Sequence, residues 1–185
     1  MTKVPNRLPP DQLTQLAETP ILLEPGGSSW GITHGSVHIF AFQTDKTGVQ
    51  TSARRYLFTI TALGMLFPIP EAHPRMKFIA VPMPGTRWMQ CPDQFLWNTD
   101  SRFVEAVEQW VSGWMIGCVR YLQNRPPRER AVSLGQPIVL EPNLMADGGT
   151  DVVWCRVESG EGVLFDTEPV SGIFPLAAGG WAGID

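Results

Sequence analysis

Residues 100–123, DSRFVEAVEQWVSGWMIGCVRYLQ, contain the one long and unbroken helical hydrophobic pattern of the chain. Asp100 or Ser101 can cap its beginning, because such a side chain accepts a hydrogen bond from an otherwise unpaired backbone N–H. Pro126 and Pro127 end it, since proline lacks that donor. We therefore predict one long amphipathic helix that packs against the strand-like regions on either side. Its apolar positions recur three and four residues apart: Phe103, Val104, Val107, Trp110, Val111, Trp114, Met115, Cys118, Val119 and Leu122.

The composition favours a mainly β protein. The 185 residues include 18 glycines and 17 prolines, which fall between short apolar runs as turns fall between strands. A chain of this length can form one large or two small domains with a buried core. The charged fraction is 17% and the net charge is −4. We expect no nucleic-acid partner, because proteins that bind nucleic acid usually carry an excess of basic residues.

The cysteines, the N-terminal residues and the length of the apolar runs predict a cytoplasmic protein. Cys91, Cys118 and Cys155 are scattered, odd in number and without a CxxC pair, so they predict reduced thiols. Residues 1–10 are polar and rich in proline, unlike a signal peptide. Residues 56–70 form the longest uncharged apolar run, which is too short and too interrupted to cross a bilayer. We therefore expect a soluble protein that does not itself span a membrane.

Several apolar runs have the length and the flanking turn residues of strands. Glycine, proline and polar residues at 25–27, 45–48 and 84–85 predict the turns between them. Residues 10–17 predict a short helix. If residues 30–42 form one strand, alternation places Trp30, Ile32, His34, Ser36, His38 and Phe40 on one face. The predicted strands before the long helix are residues 21–24, 30–42, 54–62, 78–83 and 86–91.

The opening sequence pattern returns after the long helix. Residues 20–25 (PILLEP) and 137–142 (PIVLEP) are identical at five of six positions, and Trp30 and Trp154 follow them. Gly35 and Gly160 come next, which indicates an internal repeat. We predict a mainly β fold in three parts: a β-roll or jelly-roll-like lobe at residues 1–98, the helix with an arginine-rich connector at 99–130, and a second, shorter, related β lobe at 131–185. We also expect the chain to be part of a larger protein.

The three histidines do not have the spacing of a metal site. On one strand His34 and His38 would lie about 13 Å apart, which is too far for one ion. A site would need His73 or Glu24 to converge on them from elsewhere. We therefore predict no metal.

The cysteines do not have the surroundings of a nucleophile. Cys118 and Cys155 fall in apolar patterns, and Cys91 has no histidine nearby in sequence to act as its base. The glycine-rich motifs that bind phosphate are absent. We predict no enzymatic activity and no cofactor.

Arginines and tryptophans around the helix are candidate docking residues. Arg125, Arg128 and Arg130 can bind an acidic partner, although cations also suit the solvated end of a helix. Trp88 and Trp97 flank the segment that leads into the helix and can line a groove. Packing in the core is the better explanation for most of the tryptophans.

Short phrases over nearly the whole chain resemble the N-terminal region of ATP-binding-cassette exporters for bacteriocins with nitrile-hydratase-like leader peptides. The resemblance implies a cytosolic domain on the inner side of the membrane, whose partners are the exporter's membrane and ATPase portions and the leader peptide. It also implies a homodimer through the parent transporter. The phrases are residues 35–41 (GSVHIFA) after Trp30, 55–58 (RYLF), 64–67 (GMLF), 80–86 (AVPMPGT), 153–156 (VWCR) and 174–176 (FPL) before Trp181.

The first lobe is also similar to the β-roll of cyclic-nucleotide-binding domains and of cupins. In the former family a glycine and a glutamate precede a Pro-Arg pair, and the arginine holds the phosphate. Here Gly64 is followed by Met65, so the glutamate is missing, whereas Pro74 and Arg75 match the second half. A small-ligand site in this lobe would use His34, His38, Arg55, Gly64 and Arg75.

Two functional hypotheses follow. The first is a non-catalytic regulatory or peptide-docking domain of a bacteriocin exporter. The second is a cupin-like small-ligand sensor or metal-dependent enzyme with its site in the first lobe. The fold alone does not separate them, because β-rolls carry many functions.

Overall fold

The protein is mainly β with one helix. The computed structural model describes residues 14–70, 74–91, 101–121, 129–132, 135, 137–141, 144–165 and 168–184. These form two compact units, Met1–Val107 and Glu108–Asp185. The division falls inside the helix, and the three-part division at residues 98 and 130 stays a prediction. The elements in chain order are β1 (Gln15–Leu16), β2 (Ile21–Leu22), β3 (Ser29–His34), β4 (Ser36–Gln43), β5 (Arg55–Thr61), β6 (Met65–Leu66), β7 (Met76–Pro82), β8 (Arg87–Cys91), α1 (Ser101–Val119), β9 (Glu129–Ala131), β10 (Met145–Asp147), β11 (Val153–Arg156), β12 (Gly162–Leu164), β13 (Glu168–Val170), β14 (Ile173–Leu176) and β15 (Trp181–Ile184).

The first unit has the strand order of a jelly roll. One four-stranded sheet has the order β1-β8-β3-β6 and the other has the order β2-β7-β4-β5. All the pairings in both sheets are antiparallel. The jelly-roll-like lobe predicted from the sequence is confirmed, and the runs at 54–62, 78–83 and 86–91 correspond to β5, β7 and β8.

Two of the predicted elements are wrong, the short helix at residues 10–17 and the single strand at residues 30–42. Residues 15–16 form a strand rather than part of a helix, because they pair with β8. The run 30–42 is two strands, β3 and β4, which belong to different sheets. Gly35 separates them with a φ of 80°, a left-handed conformation that favours glycine.

The core of the first unit consists of alternate residues on the inward faces of the two sheets. Val37, Ile39 and Ile60 are each 0% exposed, as is Ala80 on the neighbouring β7. From the other sheet, Ile32 on β3 and Leu66 on β6 contribute buried side chains to the same core. Burial of these aliphatic side chains supplies much of the stability of the unit.

The turn that joins β4 to β5 begins at the predicted position. The Asp45 carboxylate accepts hydrogen bonds from the Thr47 hydroxyl, the Thr47 N–H and the Val49 N–H. These bonds lower the pKa of Asp45 below its usual value, the Thr47 hydroxyl being the largest cause. Gly48 closes the turn by donating to the Asp45 carbonyl at 3.2 Å.

The long helix predicted from the hydrophobic pattern is confirmed as α1. Ser101 is its first residue, whereas Asp100 and residues 122–128 lie outside the described residues. In the first unit, the Phe103 ring contacts the Phe67 ring edge to face, with centroids 6.3 Å apart. In the second unit, the Met115 side chain fills the space next to Gly180. The helix therefore contributes apolar contacts to each unit.

The second unit repeats part of the first unit's topology. Its larger sheet has the order β13-β12-β15-β10-β9, and β11 pairs with β14 in a two-stranded sheet. Strands β10, β15, β12 and β13 follow the same order as β1, β8, β3 and β6, while β11 and β14 correspond to β2 and β7. Among the described residues nothing corresponds to β4 and β5, so the lobe is a shorter relative of the jelly roll.

The strand-by-strand repeat proposed from the sequence is wrong. Residues 137–141 form no strand, although residues 21–22 do, and the topology makes β12 rather than the Trp154 strand the counterpart of the Trp30 strand. Ile138 and Leu140 nevertheless pack against the core residues Ala146, Leu176 and Ala182. The similar segments 20–25 and 137–142 are apolar because each has side chains that pack against a core. Their similarity does not require that they form equivalent strands.

Candidate docking surface

The small-ligand residues predicted from the sequence lie at two ends of the jelly roll. Gly64 accepts a hydrogen bond from the Ile32 N–H at 2.9 Å, next to the end of β5. Arg75 accepts one through its carbonyl from the Thr44 N–H, near the other end of the sheet, where Arg55 begins β5. The six residue steps of β5 span about 20 Å. The structure therefore does not bring Gly64 together with the two arginines.

The two histidines also lie apart. His34 is the exposed last residue of β3, whereas His38 is on β4 in the other sheet. The prediction that they share a strand face fails because the chain turns at Gly35. His73 lies outside the described residues. Among the residues that are described, no three His, Cys, Asp or Glu side chains are placed to hold a metal ion.

The described residues of the first unit form one shallow depression that can be measured. A shallow depression beside β2 and β7 has a volume of about 20 Å³, which is room for about one water molecule. Small-molecule sites are usually several hundred Å³. The depression is lined by Leu23, Glu24, Pro25, Pro70, Met76, Lys77 and Phe78.

The cysteines have the surroundings of structural thiols. Burial raises the pKa of the Cys91, Cys118 and Cys155 thiols above the usual value. A raised pKa lowers the fraction of thiolate, which is the nucleophilic form. The free thiols of these three residues therefore have no activating environment among the described residues.

Of the docking residues predicted around the helix, one is buried and the side chains of the others are not described. Trp88 is 3% exposed and packs against Trp30, with ring centroids 5.4 Å apart, so it belongs to the core. Trp97, Arg125 and Arg128 lie outside the described residues. Arg130 lies in β9, where only its backbone is described.

An aromatic cluster lies on the outer face of the sheet β2-β7-β4-β5. The ring of His38 is 5.6 Å from that of Tyr56 and 6.3 Å from that of Phe40, and the Phe40 and Tyr56 rings are 5.8 Å apart. Since Val37 and Ile39 point inward, His38 and Phe40 point outward. All three rings are half-buried. We call His38, Phe40 and Tyr56 the aromatic cluster.

Apolar neighbours extend the aromatic cluster across the sheet. Strand register places Ile79 opposite Phe40 on β7, and Leu22 opposite Ile79 on β2. Leu22 is 46% exposed, whereas Ile79 is 8% exposed beneath its neighbours. The outer face therefore carries a continuous apolar row across four strands, from Leu22 to Tyr56.

Two cations flank one end of the aromatic cluster. The guanidinium carbon of Arg54 lies 6.0 Å from the centroid of the Phe42 ring, a cation–π distance. Lys77 lies opposite Phe42 in the β4–β7 register. The outer face thus places two positive charges beside aromatic rings in a chain whose net charge is −4.

The sequence contained only part of the signal for this surface. Alternation identified His38 and Phe40 as neighbours on one face, but Tyr56 joins them through the β4–β5 register, in which Phe40 lies opposite Tyr56. A β-bulge between Ile39 and Phe40 sets that register. Sequence spacing does not reveal where a bulge falls.

When compared with models of known protein families, with curated proteins and with solved structures, the chain matches none. Over the part of the chain that the structure describes, every helix is too short or too polar to traverse a lipid bilayer.

Proposed function

We propose that the protein is a non-catalytic docking domain that binds a peptide on the outer face of its jelly roll. The main support for this proposal is the aromatic cluster of His38, Phe40 and Tyr56, which Leu22 extends and cations flank. Half-buried aromatic rings beside apolar side chains are typical anchors of protein interfaces.

The charges favour an acidic peptide with apolar side chains. Carboxylates of such a peptide can pair with Arg54 and Lys77, which contact or lie opposite Phe42. Alternate apolar side chains of an extended peptide can then lie along the row from Phe40 to Leu22. A basic peptide would face the same two cations and bind less tightly.

The resemblance to bacteriocin exporters supplies a biological context for this proposal. In that context the bound peptide is the leader of the exported substrate, and the membrane and ATPase portions of the exporter are further partners on the cytosolic side. A reading frame that joins this chain to membrane helices and a phosphate-binding loop would support the context. The peptide-docking proposal can be tested without it.

Isothermal titration of the 185-residue chain with two synthetic peptides tests the proposal. The peptides alternate Phe or Leu with Glu in one case and with Lys in the other. We expect the acidic peptide to bind with a Kd of about 10–100 μM, and the basic peptide at least about tenfold more weakly. Phe40→Ser should abolish measurable binding, because it removes the central ring of the aromatic cluster.

Leu63→Ser is the matched control, since Leu63 is 79% exposed and lies outside the aromatic cluster. This variant should bind the acidic peptide as tightly as the unsubstituted chain. Equal affinity for the two peptides, or unchanged binding by Phe40→Ser, would contradict the proposal. A melting-temperature screen with metal ions and cyclic nucleotides tests the alternative of a small-ligand sensor, because a ligand of the folded state raises its apparent stability.

A further inference from the structure

The two-stranded sheet of the second unit has one packed face and one exposed face. Leu176 on β14 is 0% exposed, and Cys155 and Phe174 pack against the same core. The opposite face carries Trp154, which is 50% exposed, and Ile173, which is 60% exposed. A tryptophan that is half exposed on a short edge strand is a candidate contact with another protein.

Pro175 determines which backbone groups of β11 point away from β14. Trp154 lies opposite Pro175, and Cys155 lies opposite Phe174. Proline has no N–H, so the Trp154–Pro175 pair cannot exchange two hydrogen bonds, and the hydrogen-bonded pairs are the alternate ones. The N–H and C=O groups of Trp154 and Arg156 therefore point toward the open edge of β11.

The edges of this small sheet are not equally protected. On β14, Pro175 removes a donor from the edge that would otherwise accept another strand. On β11, both Trp154 and Arg156 retain their donors and acceptors. In the described part of the chain β11 pairs with no strand other than β14. Strand addition is thus favoured at β11.

We propose that β11 pairs with β11 of a second copy of this chain, in the antiparallel register that places Trp154 opposite Arg156 of the other copy. This register pairs the outward-pointing N–H and C=O groups of the two strands, and it is symmetric about Cys155. Trp154 and Arg156 are on the same exposed face. Each guanidinium then lies beside the indole of the other copy, which gives two cation–π contacts.

The competing symmetric registers are less favourable. Centring the pair on Arg156 places two like charges opposite each other, which is destabilising across strands. Centring it on Trp154 places Arg156 opposite Val152, so neither arginine faces an aromatic ring. The proposed register is the one that pairs both exposed side chains.

Sedimentation velocity of the full chain over a range of concentrations tests the dimer. The contact is short, so we expect a dimer that forms in the range of about 10–500 μM rather than an obligate one. Arg156→Glu should weaken the association about tenfold, because both cation–π contacts are lost, whereas Arg156→Lys should largely retain it. Trp154→Ser should weaken it at least as much as Arg156→Glu does.

Val139→Ser is the control for loss of an exposed apolar side chain in the same unit, since Val139 is 82% exposed. It should associate as the unsubstituted chain does, and so should Phe40→Ser, which separates this contact from the peptide-binding surface. A chain that stays monomeric at 500 μM, or a dimer that is insensitive to Trp154→Ser and Arg156→Glu, would overturn the proposal.

Oxidative cross-linking checks the register independently. In a non-hydrogen-bonded antiparallel pair the two Cys155 Cα atoms lie about 4.5 Å apart, within the range that a disulfide spans. Copper–phenanthroline, which accepts the two electrons released, should link a Cys91→Ser/Cys118→Ser chain through Cys155. Adding Arg156→Glu should reduce the yield. An equal yield with and without Arg156→Glu would exclude the proposed register.

Discussion

Gly35 and Thr86 form the corner at which the chain leaves one sheet of the jelly roll and enters the other. The Thr86 hydroxyl donates to the Ser36 carbonyl at 2.8 Å and accepts from the Ser36 N–H at 3.2 Å. Thr86 is 0% exposed. A Cβ on Gly35 would lie 2.7 Å from the Thr86 hydroxyl oxygen and 2.9 Å from its Cα. The corner therefore has room for a hydrogen at this position and not for a methyl group.

We predict that Gly35→Ala lowers the free energy of unfolding by about 3 kcal/mol, because it combines a left-handed backbone with a steric clash. Gly48→Ala is the matched control, since Gly48 has a similar φ of 85° with open space around it. Its cost should be about 1 kcal/mol, from the backbone alone. Urea denaturation measures both. Equal costs would show that the corner relaxes around the added methyl group.

In the sequence Gly35 lies within the predicted strand 30–42, and nothing local shows that the chain changes sheets there. A glycine within alternating apolar residues is compatible with one bent strand or with two strands in different sheets. The Thr86 side chain decides between them, and it lies about 50 residues further along the chain. Hence the assignment of His34 and His38 to one face was wrong, although His38 and Phe40 were correctly placed together.

At the scale of elements, the helix could be predicted because its period was sustained over many residues. The predicted stripe includes Met115, which is 7% exposed, but also Val104, which is 44% exposed; Ala106, which is 3% exposed, lies outside that stripe. The predicted stripe therefore includes a position that is exposed and omits one that is buried. Short strands such as β9 and β13 could not be predicted, since three residues carry too little periodicity.

Substitutions in α1 test which face is packed. Met115 is 7% exposed and lies against Gly180, so we predict that Met115→Ala costs about 2–4 kcal/mol of unfolding free energy. Ile116→Ala removes a similar side chain from the exposed face and should cost less than about 1 kcal/mol. Chemical denaturation followed by circular dichroism compares them. A larger cost for Ile116→Ala would mean that the exposed face has a partner.

At the scale of the whole molecule, the class of the fold could be predicted and the order of its strands could not. Composition and turn residues indicate a mainly β chain, because these signals are local. The jelly-roll order depends on pairs that are distant in sequence, such as β4 with β7. The outer aromatic cluster depends on the same pairing, which is why the candidate docking surface emerged only from the structure.

The division of the chain into two compact units predicts two unfolding transitions. Ile60 and Leu176 are each 0% exposed, the first in Met1–Val107 and the second in Glu108–Asp185. Replacing either with alanine should cost about 2–5 kcal/mol and lower the temperature of one calorimetric transition while leaving the other in place. If both substitutions lower a single transition equally, the two units unfold as one cooperative body.

The pairing of β1 with β8 has a consequence for folding during synthesis of the chain. Gln15 pairs with Trp88, so β1 has no neighbouring strand until the ribosome has added about 70 further residues. At ribosomal speeds this delay is on the order of ten seconds. During that interval the nascent chain exposes apolar side chains that the completed sheet will cover, so chaperone binding during translation is most valuable to this half of the protein.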